Sequence, residues 1–554
     1  MSLRNRLVLP VVALLFLTFM AACGGSPTHS IPAPPPTGAF SDSNLNGTYV
    51  FSVTGSDAVV GGYQAIVGTL MADGNGNINA GTFDINNPGN NGVLLGLTVA
   101  SGSKYSVTSD GRGTANVNVS GGGSLGFDFV LTSKTGGGLI TEFDGNGTGS
   151  GTLDLQTSNA ISATNYSFNF SGTSGINTSL CGDSSSTGGS FVIPFATVGT
   201  FTLGSGGSIS GGTEDAVNNC VSIGGTSGLA ITGGSVSPAP ATSTISSGVG
   251  TFLFHVYPID GNHLKFIEID SAVVVAGDAF PQSSTIPTNN VFTVAGFDIP
   301  AFGPFTAAGL IVTDGNGNVT SASAEDINDI SGTTGSGVAS EVTGYTGAYT
   351  AVSGGRSLLT LTNFANGAGG VLCGASGTPS CQFAIYPSSG GLQILEVDSL
   401  GTTGGIAYAQ NGSPVLASGQ GYGMNLSGSN LSAGAEEDDI AEFTYNSSNT
   451  PNIKGIIDFN DQGSTSLGQG LTSVYTADGT VPGRGTVSAN GSKNAYDYTA
   501  YVVDSSTAVC VVTDSNMIAL GSLGTQNASV NAAAQRLAVL QLRPGAKSGL
   551  KRRK

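Results

Sequence analysis

The chain has 554 residues and a net charge of −18; glycine supplies 88 of them and tryptophan none. That length exceeds one ordinary domain and suggests about three or four, with glycine far above the ~7% of average proteins. Only eight Lys or Arg residues lie between 24 and 535, and a body this acidic repels polyanions, which excludes nucleic acid as a partner.

The N-terminus carries a positive start (Arg4, Arg6), an apolar run from Leu7 to Met20, and small residues before a cysteine, Met20-Ala21-Ala22-Cys23. The apolar run is shorter than the ~20 residues that span a bilayer, and the whole reads as an export signal. It resembles the lipobox of bacterial lipoproteins. That resemblance implies a lipid (palmitate) on Cys23, a membrane partner held through it, and, with Gly24 and Gly25 behind the cysteine, an outer-membrane or cell-surface address. An uncleaved anchor or a plain cleaved signal are the alternatives. Residues 24–43, with Pro34-Pro35-Pro36 at their centre, form an extended tether. The divisions expected are a signal peptide (1–22), a tether (23–43), β-modules at 44–160, 161–285, 286–412 and 413–530, and a last strand with a basic tail (531–554).

Four runs end in an aspartate, at Asp144, Asp270, Asp398 and Asp514, spaced by 126, 128 and 116 residues. Seven residues after each comes a glycine (Gly151, Gly277, Gly405, Gly521), and twelve after each a glutamine (Gln156, Gln282, Gln410, Gln526). Such a period is domain-sized and longer than the ~20–50 residues of solenoid repeats. Each copy also holds an earlier aspartate with an asparagine close behind: Asp84/Asn86, Asp215/Asn218, Asp326/Asn328 and Asp458/Asn460. Arg112, Arg356 and Arg484 occupy a Gly-turn in copies one, three and four, and copy two lacks this arginine.

Copy one shows nine strand-like runs: 48–53, 64–71, 78–85, 94–99, 104–107, 114–119, 125–131, 139–143 and 151–155. Asp-Gly, Asn-Gly and Gly-Gly pairs separate them, the chemistry of tight hairpins. The prediction is an all-β chain of four antiparallel meander modules, each a small closed barrel or a sandwich. The opening Asn46-Gly-Thr-Tyr49 is similar to the first strand of lipocalin- and streptavidin-like barrels, and the chain as a whole resembles uncharacterised secreted β-repeat lipoproteins.

The recurring aspartates, glutamines and arginines are read as structural staples, with Arg112 expected to pair with Asp84. Cys181 with Cys220, and Cys373 with Cys381, are expected as local disulfides of an exported protein; Cys510 is left as a small buried hydrophobe. Asp73/Asn75 and Asp314/Asn316 could bind Ca²⁺ through alternating oxygens, but the further acidic ligand and closing Glu of a calcium loop are missing, and tight-turn geometry is the preferred explanation. The acidic run Glu436-Glu-Asp-Asp439 is a second calcium candidate or a solvated patch. Glu142 with Asp144 could act as acid and base, and Gly122-Gly-Ser124-Leu-Gly126 matches a hydrolase elbow with no helix to follow. His255 and His263 read as hairpin neighbours. The basic end, Lys551-Arg-Arg-Lys554, is a solvated tail or a contact for an anionic surface.

No catalytic residue and no cofactor beyond that possible Ca²⁺ is assigned. The function expected is non-enzymatic binding, adhesion or envelope structure, toward an extracellular or periplasmic ligand. A calycin-like carrier of small apolar ligands is the first alternative and a secreted hydrolase the second.

Overall fold

Short β-rich runs broken every few residues by glycine leave the backbone one economical solution, the up-and-down meander, and the chain adopts it four times. A computed structural model describes residues 40–526, apart from 60–61, 91, 136, 175–192, 226, 271–272, 299–302, 332–333, 366–371, 374–379, 399, 412–413 and 490–494. The lipidation candidate Cys23, Cys181, the 531–554 segment and the basic tail lie outside the described residues. Apart from one short 3₁₀ turn at Asp42–Asn44, the named elements are all strands.

Module 1 consists of nine antiparallel strands, from Asn46–Asp57 to Gly147–Leu155, and each expected run falls on one of them. Its first and last strands pair, and isolated bridges Asn77↔Lys104 and Val99↔Val119 draw the two free edges together. Module 2 (Asn165–Ser174 to Val273–Pro281) closes through an additional pairing of its second and third strands. Modules 3 (Asn289–Asp298 to Gly401–Ala409) and 4 (Gln420–Asn430 to Met517–Thr525) are closed eight-stranded barrels. Closure removes the free edges on which sheets aggregate.

Each barrel is filled by its own apolar cluster. Phe51, Phe83 and Phe127 meet in module 1, and Phe168, Phe170, Phe254 and Phe266 in module 2. Tyr345, Phe364 and Phe383 occupy module 3, and Tyr422, Phe443 and Tyr475 module 4. An eight-stranded barrel is just wide enough for side chains to fill. Cys510 sits in the module 4 core as a free thiol whose pKa burial pushes up.

The recurrent glycines lie where the last strand closes on the first. A Cβ at Gly151, Gly277 or Gly405 would stand 1.7, 1.9 or 1.8 Å from the carbonyl oxygen of Ser52, Asn169 or Thr293. A glycine near the end of each first strand is as tight: a Cβ at Gly55, Gly172, Gly296 or Gly428 would come within 1.9–2.1 Å of a carbonyl oxygen of the last strand. Closure therefore requires glycine on both sides. Gly405→Val should lower unfolding free energy by ~2 kcal/mol or more, from overpacking against backbone. Gly470→Ala, at a position where a Cβ meets nothing within 4 Å, should change it by less than ~0.5 kcal/mol. Urea unfolding of the two variants measures the contrast.

Candidate functional site

Side chains alternate across each strand. In the third strand of module 1, Phe83 and Ile85 enter the barrel, which turns Asp84 and Asn86 outward toward another module. The same arithmetic in every copy builds a seam. The early strands of one module pack on the late strands of the next, in the order 1–2, 2–3, 3–4 and then 4–1. The contacts thus form a closed cycle.

An aspartate sits in each seam. Asp84 accepts from the Tyr257 hydroxyl at 2.6 Å and faces His255 Nδ1 at 2.7 Å. Asp215 receives Arg356 Nε at 2.6 Å and Nη2 at 3.0 Å, with the Tyr386 hydroxyl at 2.6 Å. Asp326 receives Arg484 Nε at 2.7 Å and Nη2 at 2.8 Å, with the Tyr501 hydroxyl at 2.6 Å. Asp458 of module 4 receives Arg112 Nη1 of module 1 at 2.8 Å. Two of these are bidentate, charge-assisted pairs. The expected pairing of Arg112 with Asp84 is thereby corrected. The two residues belong to one module but look at different neighbours, Asp84 toward module 2 and Arg112 toward module 4. His255 stands opposite Asp84 in the copy that lacks the arginine. Tyr257, Tyr386 and Tyr501 were missed, although each lies 12 or 13 residues before a final aspartate.

The other landmarks join the same seams. Asn86 Nδ2 donates to the carbonyls of Glu268 and Val273, Asn328 to those of Val512 and Met517, and Asn460 to those of Glu142 and Gly147. Asn218 instead receives Ser174 Oγ at 3.0 Å within module 2. Gln156 donates to Pro258 O, Gln410 to Pro482 O and Val502 O, and Gln526 to Asp110 O, the last again linking module 4 to module 1. Gln282 lies against Gly355 of module 3. The final aspartates act inside their own modules: Asp144 accepts from Gly126 N–H, Asp398 from Gln382 N–H and Asp514 from Asp497 N–H. Asp270 donates its own N–H to Glu268.

The 4–1 seam differs from the rest. Its apolar cluster is Val130, Leu139 and Ile440, whereas the 3–4 seam packs Val291, Leu310, Tyr408, Val509 and further residues. Carboxylates take the space. The acidic run Glu436–Asp439 is buried throughout, which corrects its reading as a solvated patch. Alternation sends Glu437 and Asp439 toward the interior of module 4, and Glu436 and Asp438 into the seam, where Ser56 donates to Glu436 and Thr148 to Asp438. The run therefore diverges to two faces and does not converge on one ion. Burial pushes Asp438 up to about 7, Asp128 up to about 7 and Glu442 up to about 8. Asp458 further raises Asp128, and Asp110 further raises Glu442, while Arg112 opposes both.

The calcium candidates spend their oxygens on their own turns. Asp73 Oδ1 accepts the N–H groups of Asn75 and Asn77, and Oδ2 accepts Asn77 Nδ2; Asp314 repeats this with Asn316 and Asn318. Among the described residues no group of three or more His, Cys, Asp or Glu is placed to hold a metal ion. Glu142 is buried, its pKa raised well above the usual range by burial, and accepts from Gln64 Nε2 at 2.7 Å. Ser124 opens a strand, not a helix. Cys220 and Cys381 are each disulfide-bonded; their expected partners, Cys181 and the side chain of Cys373, fall outside the described residues.

No family model matches the chain, and no curated protein is similar to it. Among solved structures it is similar to the vaccine antigen transferrin binding protein B from Haemophilus parasuis, at 10% identity over 72% of this chain and 82% of that chain, with a TM-score of 0.15. A superposition that loose assigns neither fold nor function.

Arg356 is 1% exposed. Arg356→Met should destabilise by about 3–5 kcal/mol, because it leaves the Asp215 charge buried and uncompensated. Arg112→Met, at a side chain 18% exposed, should cost less, and Arg356→Met with Asp215→Asn should recover part of the loss. Chemical denaturation ranks the three. The raised carboxyls of the 4–1 seam bind protons more tightly folded than unfolded. Their contribution is fully present below the ordinary carboxyl pKa of ~4 and is lost as pH rises toward 7–8, at about 1.4 kcal/mol per pH unit per group. Asp438→Asn should therefore gain stability over the parent at pH ~9 and not at pH ~4, as melting in the two buffers would show.

Proposed function

We propose that the chain is an exported lipoprotein, acylated at Cys23, whose four β-modules serve as a non-enzymatic scaffold for binding or envelope structure. One observation carries this reading: the recurring polar residues, the natural suspects for repeated chemistry, are spent on structure, most of them joining module to module and the final aspartates holding turns inside their own modules. Aspartate, arginine, tyrosine and glutamine meet one another or backbone carbonyls across the seams. The phenylalanine-filled interiors disfavour the carrier alternative. A scaffold of similar modules presents several similar surfaces at once, which raises avidity for a repetitive or multivalent partner. That partner is an extracellular or periplasmic ligand, and the acidic body favours one that is not polyanionic.

The lipobox resemblance and the Pro/Gly/Ser tether support attachment to the outer membrane through the acylated cysteine. Metabolic labelling with palmitate tests it. The parent chain should incorporate label and fractionate with membranes, and Cys23→Ala should lose both. Label retained by Cys23→Ala, or a parent chain in the cytosol, would overturn the reading.

A further inference from the structure

A lysine buried between two proteins' worth of sheet is an unusual choice, and Lys265 is such a residue. It lies on the module 2 strand His263–Glu268, turned out of the barrel into the 1–2 seam, and is 1% exposed. Its Nζ stands 3.5 Å from Asp154 Oδ2 of module 1 and 3.1 Å from Asp278 Oδ1 of its own module. Asp154 is equally buried, receives Thr152 Oγ1 on Oδ2 at 2.6 Å, and among the described residues has no hydrogen-bond partner on Oδ1. Asp278 is the cross-strand neighbour of Lys265, and the same Oδ1 also meets His263 Nε2 at 2.7 Å. The His263 ring in turn stacks on Phe280 at 4.3 Å.

The corresponding places in the 3–4 seam are Tyr408, ten residues after its final aspartate, and Val509, five before the next, both in one apolar cluster. An ordinary apolar contact therefore serves that seam. Carrying charges into such a site costs several kcal/mol per ion, which attraction recovers only with complete hydrogen bonding. Here one carboxyl oxygen is left without a partner. An amine, a carboxyl group and a second carboxylate to move protons are thus fixed together and shielded from water, and fixed reactants of this kind react as if at very high concentration.

We propose that Lys265 and Asp154 condense into an amide that ties module 1 covalently to module 2. The Lys265 amine attacks Cγ of Asp154; a C–N bond forms and the C–OH bond breaks. The ammonium gives up two protons. One leaves with the Asp154 hydroxyl as water, and the other stays on Asp278, the base in contact with Nζ. The step needs no oxidant and no co-reactant. The proton inventory sets the starting state: burial works to lower the Lys265 pKa, but Asp278 and Asp154 outweigh it and hold the ammonium, so the amine forms only as protons leave. Burial, outweighing the pull of Lys265, raises the Asp154 pKa toward the neutral acid. Burial also works to raise Asp278, but Lys265 and His263 outweigh it and hold that group ionised. Two buried charges give way to one neutral amide, which removes the desolvation cost that the open quartet carries.

The test is a digest of the purified full-length protein after denaturation. An acylated lysine is not cut by trypsin, so the Lys265–Phe266 bond should survive. A chymotryptic map should contain a branched peptide joining the segments around Asp154 and Lys265, lighter by one water than their sum. Lys265→Arg should be cut at the same bond and give no branched peptide, and Asp278→Asn should leave Lys265 cleavable. Complete tryptic cleavage after Lys265 in the parent chain, with no branched peptide, would overturn the proposal even if every variant failed to fold.

Discussion

A carboxylate buried in the joint between two barrels is the constraint on which the rest of this structure depends. Asp215 and Asp326 are each gripped by two guanidinium nitrogens and a tyrosine hydroxyl from the following module. Such a group contributes little net stability against an apolar substitute, but it is very costly to leave unpaired. It therefore acts on register: one module must present its cation and hydroxyl at one place on the next. The apolar clusters beside these pairs supply the non-directional part of the association.

Because the same surface of each module meets the same complementary surface of its successor, every contact is head-to-tail. Head-to-tail contacts make either open filaments or closed rings, depending on whether the rotation closes. Here the fourth contact returns to the first module, through Arg112 with Asp458, Asn460 with Glu142 and Gly147, and Gln526 with Asp110. This seam joins residues hundreds of positions apart, and it is also the one richest in carboxyls and poorest in apolar contact. Asp438, Asp128 and Glu442 make its cohesion depend on bound protons. The first seam goes the other way, with Lys265 concentrating positive charge among Asp154 and Asp278.

Much of the fold was legible in the sequence because strand and turn are local. Nine runs in copy one, each bounded by Gly, Asn or Asp pairs, correspond to nine strands. The periodic glycines were equally legible as positions, since close strand approach admits no other residue. The purpose of the periodic polar residues was not legible. A repeat shows that Asp84, Asp215, Asp326 and Asp458 are equivalent, but not which copy supplies the partner of each. Proximity in sequence favoured Arg112 with Asp84, while topology places Arg112 against Asp458. Copy two looked deficient without its arginine, and His255 fills that place using different chemistry, beside Tyr257, the counterpart of Tyr386 and Tyr501. The run Glu436–Asp439 read as a surface patch because isolated acids prefer water, yet the neighbouring module covers it.

The central claim is that four modules of one chain close into a cycle through these carboxylates. A double-mutant cycle on Arg112 and Asp458, residues 346 positions apart, addresses it most directly. Unfolding free energies of Arg112→Met, Asp458→Asn and the pair should show a coupling of about 1 kcal/mol or more. Strict additivity of the two substitutions would mean that module 4 does not meet module 1, and the cycle would be open.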